Sequence, residues 1–253
     1  MTTKAINEQG VEKATESKSN LLVKTVLWLA TLLFLPQIIL GFLSGMFFGV
    51  WQGEKFTTSA FDVWYMTISV LLTLSLISPL ITISLLIKAT KAETWSERFD
   101  FWAVKVMGVS EVAKWTVVGF SFWFISSILG WWIKIPEEQF MLDIKAASNS
   151  TDMIILILFT LCLVVPIMEE LIFRGWLFSK VAQTKLGNIG ALLLTAFVFT
   201  TIHSQYEHVI TFLMLLSFGL LLGFVRYKSN NTCYTINIHA LFNTLTLTTL
   251  LLN

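Results

Sequence analysis

Long apolar runs, each closed by a short polar cluster, repeat along the whole chain. Seven of them, at 21–48, 62–87, 115–135, 153–173, 187–205, 208–225 and 232–252, approach or exceed the ~20 apolar residues that a helix needs to cross the hydrocarbon of a bilayer. The pattern predicts an all-α, polytopic transmembrane helix bundle of about seven spans. The first run is overlong and carries Pro36 and Gly41, so it is expected to tilt, kink or break, and a break would make an eighth span. Residues 94–114 have a different texture. Phe99, Trp102, Ala103, Val106 and Met107 recur near helical spacing between Arg98, Asp100, Lys105 and Glu111. That pattern fits an amphipathic helix on the membrane surface, or equally a loop helix packed on the bundle.

Composition agrees with the pattern. The chain is 55% hydrophobic and 13% charged, with a mean hydropathy of +0.75, whereas soluble domains carry about 25% charged residues. Its net charge of +1 gives no reason to expect nucleic acid as a partner. Cys162 and Cys233 lie in or beside apolar runs without metal or redox spacing, and are expected to be packing residues. The tryptophans fall mostly near span ends, as in an interfacial belt.

Residues 1–20 are polar and mixed in charge, and the run after Leu21 is too long for a signal peptide. They are expected to form a cytoplasmic tail. With the N-terminus inside, 14 basic residues fall on the cytoplasmic side and only Lys55, Lys134 and Lys145 outside, a distribution that the positive-inside rule strongly favours. The acidic loop 136–152 is then exported.

The chemistry concentrates in the second half. Glu169, Glu170 and Arg174 close the run that begins at Met153, and ionisable groups at bilayer depth mark functional sites by default. On a helix, Glu170 and Arg174 are four apart on one face, in the favourable order for an ion pair. Glu169 points roughly 140° away from Arg174. The spacing therefore divides the labour: Glu170 and Arg174 neutralise each other, and Glu169 stays available as a general base or acid. His203 lies one turn after Phe199, so the two rings stack. His239 and Asn243 are four apart and project from one face of the last apolar run. His208 lies nearer a loop and is expected to be solvated. If these helices converge, a carboxylate can deprotonate water, one histidine can hold it, and a histidine–asparagine pair can donate to a developing oxyanion. Glu169, His203 and His239 are also the residues that would hold a divalent metal such as zinc, although the HExxH helix of zinc proteases is absent. No cofactor is required by the pattern.

Glu169-Glu170-x-x-x-Arg174, Phe199-x-x-x-His203 and His239-x-x-x-Asn243, in this order on successive apolar helices, resemble the three motifs of the CAAX-protease and bacteriocin-processing (CPBP, or Abi) family of intramembrane proteases. The resemblance covers roughly residues 150–250. It implies that Glu169 is the essential base, that His203 holds the water, and that His239 and Asn243 are oxyanion donors, with Glu170, Arg174 and Phe199 in structural roles. Metal dependence stays open. It also divides the chain into a polar tail (1–20), N-terminal spans (21–148) and a catalytic core (149–253). The implied activity is that of an endopeptidase akin to type II CAAX prenyl proteases, acting on a membrane-associated protein or small peptide within the lipid bilayer, here of a bacterial plasma membrane. A different class of protein also fits: a non-catalytic binding or bacteriocin self-immunity protein that retains the fold. A transporter fits less well, since no inverted repeat is detectable.

Depth raises one conflict. His203 lies 18 residues beyond Lys185, ~27 Å on a straight helix, which puts it too near the outer surface to meet Glu169 unless the helix holding Glu169 runs well past Lys180 or the 187–205 helix starts deeper or bends.

Overall fold

The computed structural model describes the backbone of residues 2–65 and 67–252, and their side chains except at 2–20, 61 and 65. It contains α1 (Thr2–Gln52), α2 (Thr58–Tyr65), α3 (Ile68–Thr90), α4 (Trp95–Phe101), α5 (Val109–Ile133) and α6 (Gln139–Ala147). After these come α7 (Thr151–Ala182), α8 (Gly187–Thr201), α9 (Val209–Ser229) and α10 (Thr232–Leu252). Among the described residues there is no strand. Six helices among the described residues, α1 from Leu21 onward, α3, α5, α7, α9 and α10, are long and apolar enough to cross a membrane. Side chains such as Val26, Phe42, Leu80 and Ile125 are turned outward. Apolar surface on this scale is stable against lipid and not against water, and the chain is an integral membrane protein.

Two expectations change, and a third falls on residues whose side chains are not described. α1 runs through Pro36 without a break, so the first run makes no additional span. The tail expected at 1–20 has its side chains outside the described residues, and its backbone begins α1. The fifth run forms only the 15-residue α8, which is too short to cross.

The stretch 94–114 is also not one helix. Thr94 and Glu97 cap α4 reciprocally, a pairing that satisfies two N–H groups of the first turn. The helix then stops because Trp102 plunges into the core, with Nε1 donating to Thr90 Oγ1 at 2.8 Å. Ala103 takes a left-handed turn with φ 49°. The segment is strapped to the α9–α10 connection: Thr232 N donates to Ala103 O at 2.7 Å and Thr232 Oγ1 to Trp102 O at 2.6 Å. Gly175 of α7 admits this approach, since a Cβ there would lie 3.3 Å from the Trp102 carbonyl oxygen.

The main core surrounds α7. Phe173, Trp176 and Leu177 pack with Trp102, Phe199, Phe218, Leu222 and Ile238 from four other segments. A smaller cluster, Leu72, Ile144, Ile157 and Leu247, draws α6 into the bundle beside α3, α7 and α10.

α8 and α9 touch through small residues. A Cβ on Gly219 would lie 3.3 Å from both Cα and O of Ala196, and one on Gly223 would lie 3.0 Å from Leu192 Cγ. This is the small-xxx-small contact by which membrane helices approach closely. Gly219→Ala is expected to lower the unfolding temperature in detergent, with a cost of about 1–3 kcal/mol from overpacking. Gly49→Ala, whose added carbon comes no nearer than 3.9 Å to another side chain, should leave that temperature unchanged or raise it.

Candidate active site

α7 is not a uniform helix. Two π-helical stretches, Thr160–Val164 and Leu171–Leu177, bracket the α-helical segment Val165–Glu170. Such wide turns recur at functional sites because they re-aim side chains and loosen the carbonyl ladder. Both stretches are used here. Asn243 Nδ2 donates to Leu161 O at 2.7 Å, and Arg226 Nε donates to Arg174 O at 2.9 Å.

The glutamates part company at the end of that segment. Glu170 and Arg174 are fully buried and bonded, NH1 to Oε1, at 2.8 Å. Arg174 NH2 donates to Gly219 O at 3.1 Å, and its guanidinium lies 4.4 Å from the Phe199 ring centre. Glu169 turns the other way. Its carboxylate is 3.7 Å from His203 Nε2 and 3.7 Å from His239 Nε2, too far for a direct hydrogen bond, and its Oε2 is buried without a hydrogen-bond partner among the described residues.

Hydrogen bonds fix the histidine tautomers. His203 Nδ1 is 2.6 Å from Phe199 O; a carbonyl only accepts, so Nδ1 carries the proton and the neutral ring presents an Nε2 lone pair to Glu169. His239 Nδ1 is 3.0 Å from Glu170 Oε1, so it too donates. For His239 Nε2 to donate as well, that ring must hold both protons, with the Glu169 carboxylate 3.7 Å away as the counter-charge. Phe199 is the post between the two rings, 4.6 Å from His203 and 5.8 Å from His239 by ring centres.

The depth conflict disappears because α7 continues past its motif to Ala182. Measured from the turn at 183–187, Glu169 and His203 both lie roughly 20–25 Å along their helices. α8 ends at Thr201, so His203 turns inward there instead of continuing to a surface. Glu169, His203, His239 and Asn243 line one cavity of about 160 Å³, walled also by Phe140, Met141 and Ile144 of α6.

Several neighbours carry no clear mark in sequence. The Tyr206 ring is nearly parallel to that of His203, with centres 6.3 Å apart; its spacing three residues on was the available signal. Phe218 stands edge-on to His239 at 5.4 Å. Arg226 reads as an ordinary inside charge, yet it is buried. His208, expected to be solvated, has Nδ1 3.0 Å from Oε1 of the buried Glu138. Nothing in the sequence of the 136–152 loop distinguishes Glu138 from solvated neighbours such as Glu137.

The donor types suit zinc in kind, since each histidine presents Nε2 while Nδ1 is held by an acceptor. Nevertheless, no group of three or more His, Cys, Asp or Glu side chains among the described residues is placed to hold a metal ion.

Similarity to known proteins is found in the second half of the chain. Residues 151–245 match the family model of type II CAAX prenyl endopeptidase Rce1-like proteins, which is consistent with the CPBP resemblance. The chain is also similar to an uncharacterised 24.3 kDa protein of Escherichia coli, 30% identical over 114 residues covering 44% of this chain and 52% of that protein. The chain thus spans about half the length of this curated relative. No solved structure matches it.

Proposed function

We propose that the chain is an intramembrane endopeptidase that hydrolyses a peptide bond in a membrane-associated protein or small peptide. One observation carries the reading: a carboxylate free of any arginine shares a small buried cavity with two imidazole Nε2 atoms and an asparagine amide. A water between Glu169 and His203 would give one proton to the carboxylate and hydrogen-bond the Nε2 lone pair with the other, leaving its oxygen to attack the carbonyl carbon. The developing oxyanion would take hydrogen bonds from His239 Nε2, in its doubly protonated form, and from the Asn243 N–H not committed to Leu161. As the C–N bond breaks, Glu169 passes its proton to the departing amine. The family match over residues 151–245 supports this reaction class. The protein would work in a bacterial plasma membrane with its N-terminus in the cytoplasm, the orientation that the placing of its basic residues favours.

The test is mass spectrometry of membrane and secreted peptides from cells carrying the wild-type chain or the Glu169→Ala, His203→Ala double variant. At least one peptide should appear only with the wild type, and its ends would identify the cleaved bond. Identical peptide profiles with normal cellular immunity would instead favour a non-catalytic binding or immunity protein.

A further inference from the structure

We propose that Glu138, which lies outside all three motifs, is a positioning residue for His203. Its carboxylate holds the 202–208 turn that swings the histidine into the cavity. The side chain is 5% exposed and sits between the end of α5 and the start of α6. Its Oε2 accepts the Glu207 N–H at 2.8 Å, and its Oε1 accepts the His208 N–H at 3.3 Å. These amides stand at the start of α9, where N–H groups lack helical partners and the helix dipole favours an anion. Burial alone would raise the Glu138 carboxyl, but the Thr211 hydroxyl and the Glu207 and His208 groups beside it outweigh burial and hold it below the ordinary range.

The helix that Glu138 introduces gives the contact its consequence. Phe140, Met141 and Ile144 wall the catalytic cavity, and Phe140 meets Tyr206 edge-on at 6.3 Å. Tyr206 in turn faces His203, and its N–H donates to His203 O at 3.2 Å. One carboxylate therefore ties the α6 wall to the turn bearing the histidine. The turn's other backbone bonds, Ile202 N to Val198 O, His203 N to Thr200 O, Tyr206 N to His203 O and Phe212 N to His208 O, are local to the turn and its two flanking helices, whereas Glu138 reaches it from a separate segment. Without Glu138, two partly buried amides lose their acceptor, and the end of the turn is free to drift relative to Glu169.

The catalytic consequence rests on the protease reading, but the geometric one does not, and the experiment separates them. The chain has 3 histidines, so ¹⁵N-histidine labelling of the purified protein in detergent gives a small set of ring signals. Glu138→Ala is expected to shift or broaden the His203 and His208 signals while that of His239 stays in place. It should also slow peptide processing by about 10²-fold, the usual cost of a catalytic group misplaced by an ångström. Glu138→Gln keeps one acceptor for the Glu207 N–H and should shift the same two signals by less. If the alanine variant fails to fold, the glutamine variant must show that selective shift alone. An unchanged His203 signal in a folded variant, or movement of all three histidines together, overturns the proposal. A shifted His203 in a chain whose wild type processes no peptide leaves it standing and overturns the protease reading instead.

Discussion

Glu169→Gln is expected to stop peptide processing while the protein accumulates and unfolds as the wild type does. The substitution keeps shape and volume and removes the carboxylate that would take a proton from water. Loss of a general base costs about 10²–10⁴-fold in rate. Stability should hardly change, because Glu169 has no ion pair closer than the 3.7 Å approaches to the two histidines. The introduced side-chain amide would also face the Nε2 lone pair of His203, to which its N–H groups can donate. The measurement is the yield of wild-type-specific peptides, set beside membrane abundance and the unfolding temperature in detergent. Full processing by the variant would remove Glu169 from the catalytic role. Lost processing with lost protein would make it a structural residue.

Arg174→Gln and Glu170→Gln should give the opposite signature. Both partners are completely buried, so removing one strands a charge in the core, at a cost of about 3–5 kcal/mol. Arg174→Gln also forfeits the bond to Gly219 O and the stack on Phe199, loosening the contact between α7, α8 and α9. Glu170→Gln removes the anionic acceptor of His239 Nδ1 as well as the partner of Arg174, so its residual activity should fall further than its abundance does. Both variants should show reduced membrane levels and a lower unfolding temperature, read by immunoblot and thermal melt. Unchanged stability in either would mean that the pair contributes little to the fold. Together with Glu169→Gln, the three variants separate two adjacent glutamates by phenotype: one carries chemistry and the other architecture.

Much of this arrangement is legible from residue order. The Glu170–Arg174 pairing and the outward turn of Glu169 come from helical spacing, and both survive the π-helical stretch because the wider turn still leaves residues four apart close together. The apolar runs predict the helices, since in hydrocarbon each backbone polar group must be satisfied within its own segment. The failures lie where the chain leaves that regime. The extent of 94–114 could not be read because its end is set by Trp102 entering a core built from distant segments. α8 reads as a span because Ile202 prolongs its apolar run, whereas the helix ends at Thr201 in a turn whose far end is bonded to Glu138 from another part of the chain.

Sequence alone thus determined a membrane-embedded helical bundle and a second half carrying one free glutamate, one paired glutamate, two histidines and an asparagine in fixed local phase. Local phase is a property of covalent spacing and helical pitch, and it needs no partner. Only the tertiary structure decided that α8 stops short, that α7 runs on far enough for Glu169 to meet His203 at one depth, which ring nitrogens face the carboxylate, and that a glutamate from the loop between α5 and α6 is buried against the start of α9. These depend on which acceptors and which packing surfaces arrive from elsewhere in the bundle, and no spacing along one helix encodes them.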